Sequence, residues 1–312
     1  HIEYYSTKVI IEMMNHNRLK VFDHEFNNIN GGSSRYYICH QKANYKMKQK
    51  KISGGLRKKG ILKKDKKNLP LISIITVVLN NKKFLEQSIN SVQNQRYKNH
   101  EHIIIDGKST DGTVKILRKN NSKIDYWISQ KDRGIYDAMN KGMKLSHGSL
   151  IVMLNSDDVF YKHALKIATS YFNRYKNIDF LFGSVIKYKL LYGYRPWKIR
   201  WSFGFYSTHS IGFFIRKKSQ MKVGLYKLKY RYSADYDLFY RLIVKQKMVG
   251  WATKKNEIFG KFRRGGFSSK ISFMDYLNET IRIRLDNGQN ILLVSIIFLL
   301  KYTKHLINKI IL

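Results

Sequence analysis

The sequence has one cysteine, Cys39, and two prolines, Pro70 and Pro196, in 312 residues. One cysteine builds no disulfide framework and no cysteine-rich zinc site, and it fits a reducing compartment. Acids are scarce as well: 21 Asp+Glu stand against 59 Lys+Arg, a net charge of +38. No GxGxxG follows an apolar run, which argues against a dinucleotide-binding domain, and no GxxxxGK[ST] supplies a phosphate loop. No HExxH or paired-histidine spacing supports zinc. No charged n-region, apolar h-region and cleavage site follow His1, so no signal peptide is expected, and the chain reads as processed or as a piece of a longer one. Hydrophobic residues are not lacking. At 43% they suffice for a core and exclude wholesale disorder.

The charge suggests a polyanionic partner: nucleic acid, an anionic membrane face or a phosphorylated substrate. Plentiful Lys, Ile and Asn also follow from an AT-rich coding sequence with no selection for binding. Part of the charge is local. Residues 46–67 hold eleven Lys/Arg and one Asp with Gly54, Gly55 and Gly60, the composition of a solvated linker that Pro70 closes. Nucleic-acid binding predicts bases interleaved with aromatics on a defined module, and this densest basic run has no aromatics.

From Leu71 the pattern changes. LISIITVVL (71–79) is a continuous apolar run rich in β-branched residues, as in a strand buried on both faces of a parallel sheet. Leu85, Ile89 and Val92 then mark an amphipathic helix to about Gln95. HIIID (102–106) is a second buried strand. A helix from Val114 capped by Asp111 or Thr113, a strand over 124–129, a helix over 136–144 and a strand over 149–158 follow. This alternation defines an α/β open sheet, mostly parallel and flanked by helices. Ligands bind at the carboxyl ends of such strands, where Thr76, Asp106, Asp157 and Asp158 converge. Beyond 160 the expected elements are a helix over 164–174, strands over 180–191 and 211–216, and helices over 234–247 and 274–285. ILLVSIIFLL (291–300) is ten residues long, against roughly 20 for a membrane span. With Lys301, Lys304 and Lys309 it reads as a helix lying in a membrane interface or as one packed on the core.

Each candidate residue has a structural and a chemical reading. Asp157 and Asp158 are adjacent carboxylates whose repulsion a divalent Mg²⁺ or Mn²⁺ resolves, or they make an Asx turn. Asp106 beside Gly107 forms a turn or accepts hydrogen bonds from a ribose. Asp235 and Asp237 open a helix, where the macrodipole favours acids, or one of them is a general base in the crevice. His209 is a structural histidine or a site residue. Arg263 and Arg264, beside Gly265 and Gly266, cover a phosphate or form a solvated turn.

In order, ISIITVVLNN (72–81), SINSVQNQRYKNHEHIIIDGKSTDGT (88–113), WISQKDRGIYDAMNKG (127–142), GSLIVMLNSDD (148–158), HSIGFFIRK (209–217), ADYDLFYRL (234–242) and FRRGGFSS (262–269) resemble the family 2 inverting glycosyltransferases of GT-A fold, of the type that builds bacterial exopolysaccharide, capsule and O-antigen. The resemblance covers roughly 70–270. It implies a GT-A domain over 71–270, with a C-terminal helical extension over 271–312 and a basic linker over 46–70. It implies that Thr76, Val78, Asp106 and Ser109 hold the nucleotide, and that Lys131, Asp132 and Gly134 pack under it and the donor sugar. Asn155-Ser156-Asp157 takes the place of the DxD motif, with Asp157 and Asp158 toward the metal. Asp235 takes the place of the general base, Ala234 replacing the Glu before it. His209, Asp237, Arg263 and Arg264 fall toward the acceptor and diphosphate. The implied partners are a nucleotide-diphosphate sugar, first among them a UDP-sugar, a lipid-linked saccharide acceptor and an anionic membrane surface, with no nucleic acid. The implied place is the inner face of the bacterial plasma membrane, peripheral and cytoplasmic. A non-catalytic relative is the other possibility, against which the intact Asp157, Asp158 and Asp235 count. HIEYYS and NGGSSRYYI, within residues 1–45, resemble the tail of a SAM-dependent sugar C-methyltransferase, without the part that binds SAM.

Overall fold

The computed structural model describes residues 19–27, 33–40, 55–57, 69–201, 205–263 and 271–311. The chain divides into two units, His1–Leu56 and Arg57–Leu312. In the first, Leu19–Asn27 pairs antiparallel with Ser33–His40.

The second unit is built on a mixed sheet. Its strands are β1 (Ile72–Val78), β2 (His100–Asp106), β3 (Tyr126–Ser129) and β4 (Leu150–Met153). They stand in the order β3-β2-β1-β4, all parallel. The helices between them are α1 (Lys82–Gln93), α2 (Thr113–Lys119) and α3 (Ile135–Leu145). Every residue of β1 and β2 is buried, as a two-sided parallel strand requires. Alternation sends Ile75 and Val77 into one core with Tyr136, Met139 and Met143 of α3. Ile72 and Ile74 enter the other core, with Val92 of α1 and Leu165 and Ala168 of α4 (Ala164–Arg174). The chain moves outward from β1 to β3 and then returns to β4 on the other side of β1. That reversal opens a crevice at the carboxyl ends of β1, β2 and β4.

The sheet continues from β4 through antiparallel β9 (Phe213–Arg216) to β6 (Phe180–Phe182) and β10 (Gly250–Ala252). A second small sheet holds β5 (Val159–Phe160), β7 (Ser184–Ile186), β8 (Leu190–Leu191) and β11 (Ile258–Lys261). The expected strand over 180–191 is therefore three strands in two sheets. Gly183 is the crossing point: a Cβ there would lie 2.2 Å from the Phe259 ring, so only glycine lets the sheets approach so closely. The expected strand over 149–158 stops at Met153, where pairing to β1 ends at Ile75. Residues 155–158 turn instead, the Asp158 N–H bonding the Asn155 carbonyl at 3.0 Å. Gly112, with φ +101°, holds the cap position of α2, while the Asp111 carboxylate takes the N–H groups of Lys82 and Thr113.

The remaining helices are α5 (Lys217–Val223), α6 (Ala234–Tyr240), α7 (Phe273–Asp286) and α8 (Ile291–Ile311). The expected helix over 234–247 is α only to Tyr240 and continues as a π turn over Arg241–Lys245. Residues 291–309 of α8 are long and apolar enough to cross a membrane, and only 11% of that stretch is buried. Packing α8 into the core is thereby corrected: it lies on the surface, against α7.

Candidate active site

At the carboxyl ends of β1 and β2, polar loops lock onto each other. Asn80 takes the left-handed conformation, φ 50°, which its side chain tolerates. Its N–H donates to Ser109 Oγ at 2.7 Å and its Oδ1 accepts the Thr110 N–H at 2.8 Å. Asp106 is fully buried and accepts from Ser109 N–H (3.0 Å), Ser109 Oγ (2.5 Å) and Ser129 Oγ (2.5 Å). Its carboxylate therefore shapes this loop rather than reaching outward. Val78 accepts the Gly107 N–H through its carbonyl at 2.9 Å. Thr76 lies inside the sheet, its hydroxyl 2.9 Å from His102 Nε2, so its side chain does not face the crevice.

Asp132 closes over this turn. A Cβ on Gly107 would come within 2.7 Å of Asp132 Oδ2, so the glycine makes room for that carboxylate. Asp132 Oδ1 also accepts the Gly134 N–H at 2.9 Å, and Gly134, φ +112°, starts α3. The Lys131 carbonyl accepts Lys141 Nζ at 3.0 Å.

The loop after β4 forms the second wall. Ser156 Oγ accepts Asn81 Nδ2 at 2.8 Å, tying it to the β1 loop. Among the described residues Asn155 Oδ1 is buried without a hydrogen-bond partner. A buried acceptor so placed can be satisfied by a water, an ion or a ligand group. Burial pushes the Asp157 carboxyl up. Asp158, 1% exposed, is pushed up to about 7 by burial and by the charge of Asp157. Its Oδ2 accepts Ser210 Oγ at 2.6 Å and its Oδ1 accepts the Arg263 N–H at 2.9 Å. Asp158 thus ties two loops together through both of its carboxylate oxygens. The Arg263 guanidinium stacks 3.6 Å from the Phe84 ring centroid and donates to the Asp157 carbonyl at 3.2 Å and Gln87 Oε1 at 3.0 Å. Arg264 lies outside the described residues.

Mn²⁺ or Mg²⁺ fits this wall. Such ions need only one or two protein carboxylates when substrate phosphates complete the shell. Asp157 would supply one such carboxylate and the Asn155 amide a neutral oxygen, although among the described residues no group of three His, Cys, Asp or Glu side chains gathers for a metal.

Asp235 stands at the start of α6, half-buried. Burial raises its carboxyl to about 6, against the Tyr236 N–H (2.9 Å) and the Tyr136 hydroxyl (3.2 Å), which donate to Oδ1. The nearby Tyr206 hydroxyl favours the ionised form as well. The negative charge of Asp235 acts on Tyr136, Tyr206, Tyr226 and Tyr276, which come from α3, two separate loops and α7. None of these tyrosines was singled out from the sequence. Only the GIYD segment carried a signal, in placing Tyr136 at the start of α3. His209 joins the same wall. Its Nε2 lies 2.5 Å from the Tyr226 hydroxyl and its ring stacks on Phe213. Burial takes its pKa down to about 4, so the imidazole is neutral at neutral pH.

Asp237 does not join the site. It is fully buried and binds Arg241 Nε (2.7 Å), Lys227 Nζ (3.2 Å) and Asn287 Nδ2 (2.9 Å). Its expected acceptor role is corrected, because two helix residues apart it points away from Asp235 into an ion network. Removing one partner leaves buried charge uncompensated. Asp237→Ala is expected to destabilise the fold by ~3–5 kcal/mol, checked by denaturant unfolding.

The α/β open sheet thus gathers acids in a crevice at the carboxyl ends of its strands, where such sheets bind ligands. The profile of glycosyl transferase family 2 matches residues 73–261, more than half of the sequence, and the chain belongs to that family. It is 41% identical over 92 residues to an uncharacterized glycosyltransferase of Mycobacterium tuberculosis, a match covering 29% of this chain and 35% of that one. It is 28% identical over 192 residues to a PGL/p-HBAD biosynthesis glycosyltransferase of Mycobacterium bovis, covering 58% and 72%. The chain thus spans about a third of the first relative's length. The GT-A fold is shared with residues 1–349 of TarS from S. aureus in complex with UDP-GlcNAc (TM-score 0.54, 16% identity, 69% and 65% covered). It is shared also with the mannosyltransferase PcManGT from Pyrobaculum calidifontis in complex with GDP-Man and Mn²⁺ (TM-score 0.51, 13% identity, 70% and 63% covered).

Proposed function

We propose that this chain is a metal-dependent inverting glycosyltransferase. It moves a sugar from a nucleoside diphosphate sugar, a UDP-sugar first, to the hydroxyl of a lipid-linked saccharide during cell-surface polysaccharide synthesis of the capsule or O-antigen type. The observation that carries the reading is Asp235: a half-buried carboxylate tuned to about 6 among tyrosines at the crevice. A general base works best with its pKa near the operating pH. The donors named in the TarS and PcManGT structures support a nucleotide sugar.

The chemistry is a single displacement. Asp235 takes the proton of the acceptor hydroxyl as that oxygen attacks the anomeric carbon from the face opposite the diphosphate. The anomeric C–O bond breaks and its electron pair leaves with the nucleoside diphosphate, so configuration inverts. Asp106, Ser109 and Asp132 build the loop under the nucleotide, and Arg263 holds the loop carrying Asp157 in place. A divalent cation at Asp157, when bound, neutralises charge on the departing diphosphate. No enzymic nucleophile is required.

The site belongs, on this reading, to the cytoplasmic face of a bacterial plasma membrane, peripherally bound. Residues 1–45, which resemble the tail of a sugar methyltransferase, precede the basic linker 46–70 and the transferase domain 71–270. The test is a donor screen with Mn²⁺ or Mg²⁺, with and without a lipid-linked saccharide, scored by nucleotide release. Release stimulated by the acceptor is expected for one donor. No release from any nucleotide sugar overturns the proposal.

A further inference from the structure

The sequence YGYRPWKIRW (192–201) makes a feature that the transfer chemistry does not use. Pro196–Arg200 forms one tight helical turn in which Ile199 is the buried residue. Trp197 is 68% exposed and Trp201 49%. The turn is firmly anchored. The buried Arg284 donates through Nη1 to the Arg200 carbonyl. Gln289 Nε2 donates to the same oxygen at 3.1 Å, and the Tyr236 hydroxyl donates to the Ile199 carbonyl at 2.7 Å. Two large aromatic rings are therefore displayed in water by a fixed support, at an apolar cost that the fold does not relieve.

Gln289 stands two residues before α8, so the turn abuts the start of that helix. On a helical projection Leu292, Ile296, Leu299, Leu300, Leu306 and Ile307 fall within an arc of about 120°. All six are exposed, and Lys301, Lys304 and Lys309 fall outside the arc. The opposite side holds buried Val294 and Ile297. Phe273, at the start of α7, stacks on His305 near the end of α8 with centroids 3.9 Å apart. Antiparallel α7 thus grips one side of α8 along most of its length and leaves the apolar stripe facing away from the protein. Cations border both parts: exposed Arg195 and Arg200 with Lys198 over the Trp197 ring at the turn, and exposed Lys304 and Lys309 on α8.

We propose that the Trp197–Trp201 turn and the outward stripe of α8 form one docking surface for an anionic phospholipid bilayer. This deepens the membrane reading above by naming the surface. Tryptophan favours the headgroup level, an apolar helix face sinks to the acyl boundary, and flanking cations meet anionic headgroups. The charge of +38 complements such a bilayer. The grip of α7 holds α8 flat on the membrane, because a spanning orientation requires the two helices to part. The charge of Asp235 also acts on Tyr276 of α7, the helix that carries α8.

The experiment uses the full chain and vesicles of phosphatidylglycerol with phosphatidylethanolamine, against phosphatidylcholine alone. Wild type is expected to co-sediment with the anionic vesicles, and brominated acyl chains are expected to quench its tryptophan fluorescence. W197S/W201S is expected to lower partitioning about tenfold at unchanged melting temperature. W197F/W201F keeps a ring at both positions as a guard against misfolding, and is expected to bind but to lose the bromine quenching. Trp127, 3% exposed, does not contribute to that signal, and the exposed Trp251 of β10 is replaced by Phe in every protein compared, so that only Trp197 and Trp201 report. Equal partitioning of wild type and the serine variant overturns the proposal. So does equal quenching of wild type and the phenylalanine variant, or self-association through these residues without vesicle binding. Nucleotide release in the absence of vesicles separates the two readings: if it persists while vesicle binding fails, only the docking surface is wrong.

Discussion

Asp235→Asn is expected to bind the nucleotide sugar as wild type does and to transfer its sugar ~10³-fold more slowly, the middle of the range that a positioned general base contributes. Asn keeps the size and the ability to accept from Tyr136 and Tyr236, so the surrounding hydrogen bonds survive. It cannot take a proton. The wild-type pH profile should carry the same signature. Burial holds the Asp235 carboxyl near 6, above its ordinary value. Below that pH the base is protonated and silent, so kcat/KM for the acceptor rises with pH through about 6 and then levels. His209, already neutral above about 4, adds no limb in that window. The asparagine variant should lose the Asp235 part of that limb and keep only what Asp157 and Asp158, both also raised by burial, contribute. Steady-state transfer at a series of pH values, with donor affinity from calorimetry, checks both points. Near-normal turnover by the variant removes Asp235 from the mechanism.

The parts that sequence revealed share one physical property: their signal is local. A run such as ISIITVV can be buried on both faces only in a parallel sheet, and β1 follows it residue for residue. The Asn155–Asp158 acids stood out because a polar cluster ended an apolar strand. The crossover at Gly183 was hidden because its reason, the Phe259 ring, is supplied by a strand more than seventy residues later. The environment of Asp235 was hidden for the same cause, four tyrosines converging from distant elements. Asp235 and Asp237 looked equivalent in SADYDLF, yet two residues along a helix turn the side chain through roughly 200°. One meets Tyr136 and the Tyr236 N–H, and the other Arg241 and Asn287. The docking turn was equally mute, since exposure of Trp197 follows from what packs around Ile199 and not from the order of residues.

Asp157 and Asp158 make a sharper case of two neighbouring acids with different work. Asp158 spends both oxygens on Ser210 and the Arg263 N–H, while Asp157 stands two residues after Asn155, whose Oδ1 has no partner among the described residues. Asp157→Ala is therefore expected to lower nucleotide release by ~10²–10³-fold, the scale of losing one charge-stabilising contact to a developing anion. Raising Mn²⁺ should restore part of that loss, because the remaining ligands still bind weakly. Asp158→Asn keeps an acceptor for Ser210, and its effect should fall on thermal stability and on the ordering of the Arg263 loop, with transfer at saturating Mn²⁺ within about tenfold of wild type. Metal titrations of nucleotide release for the two variants, beside their melting curves, distinguish the roles. Equal loss from both, at equal stability and with equal metal dependence, would return Asp158 to the metal and make Ser210 its orienting partner. A loss confined to Asp157 leaves a single carboxylate, the Asn155 amide and the donor's own phosphates to hold the ion, and an enzyme so economical in acids would depend on its substrate to complete its metal site.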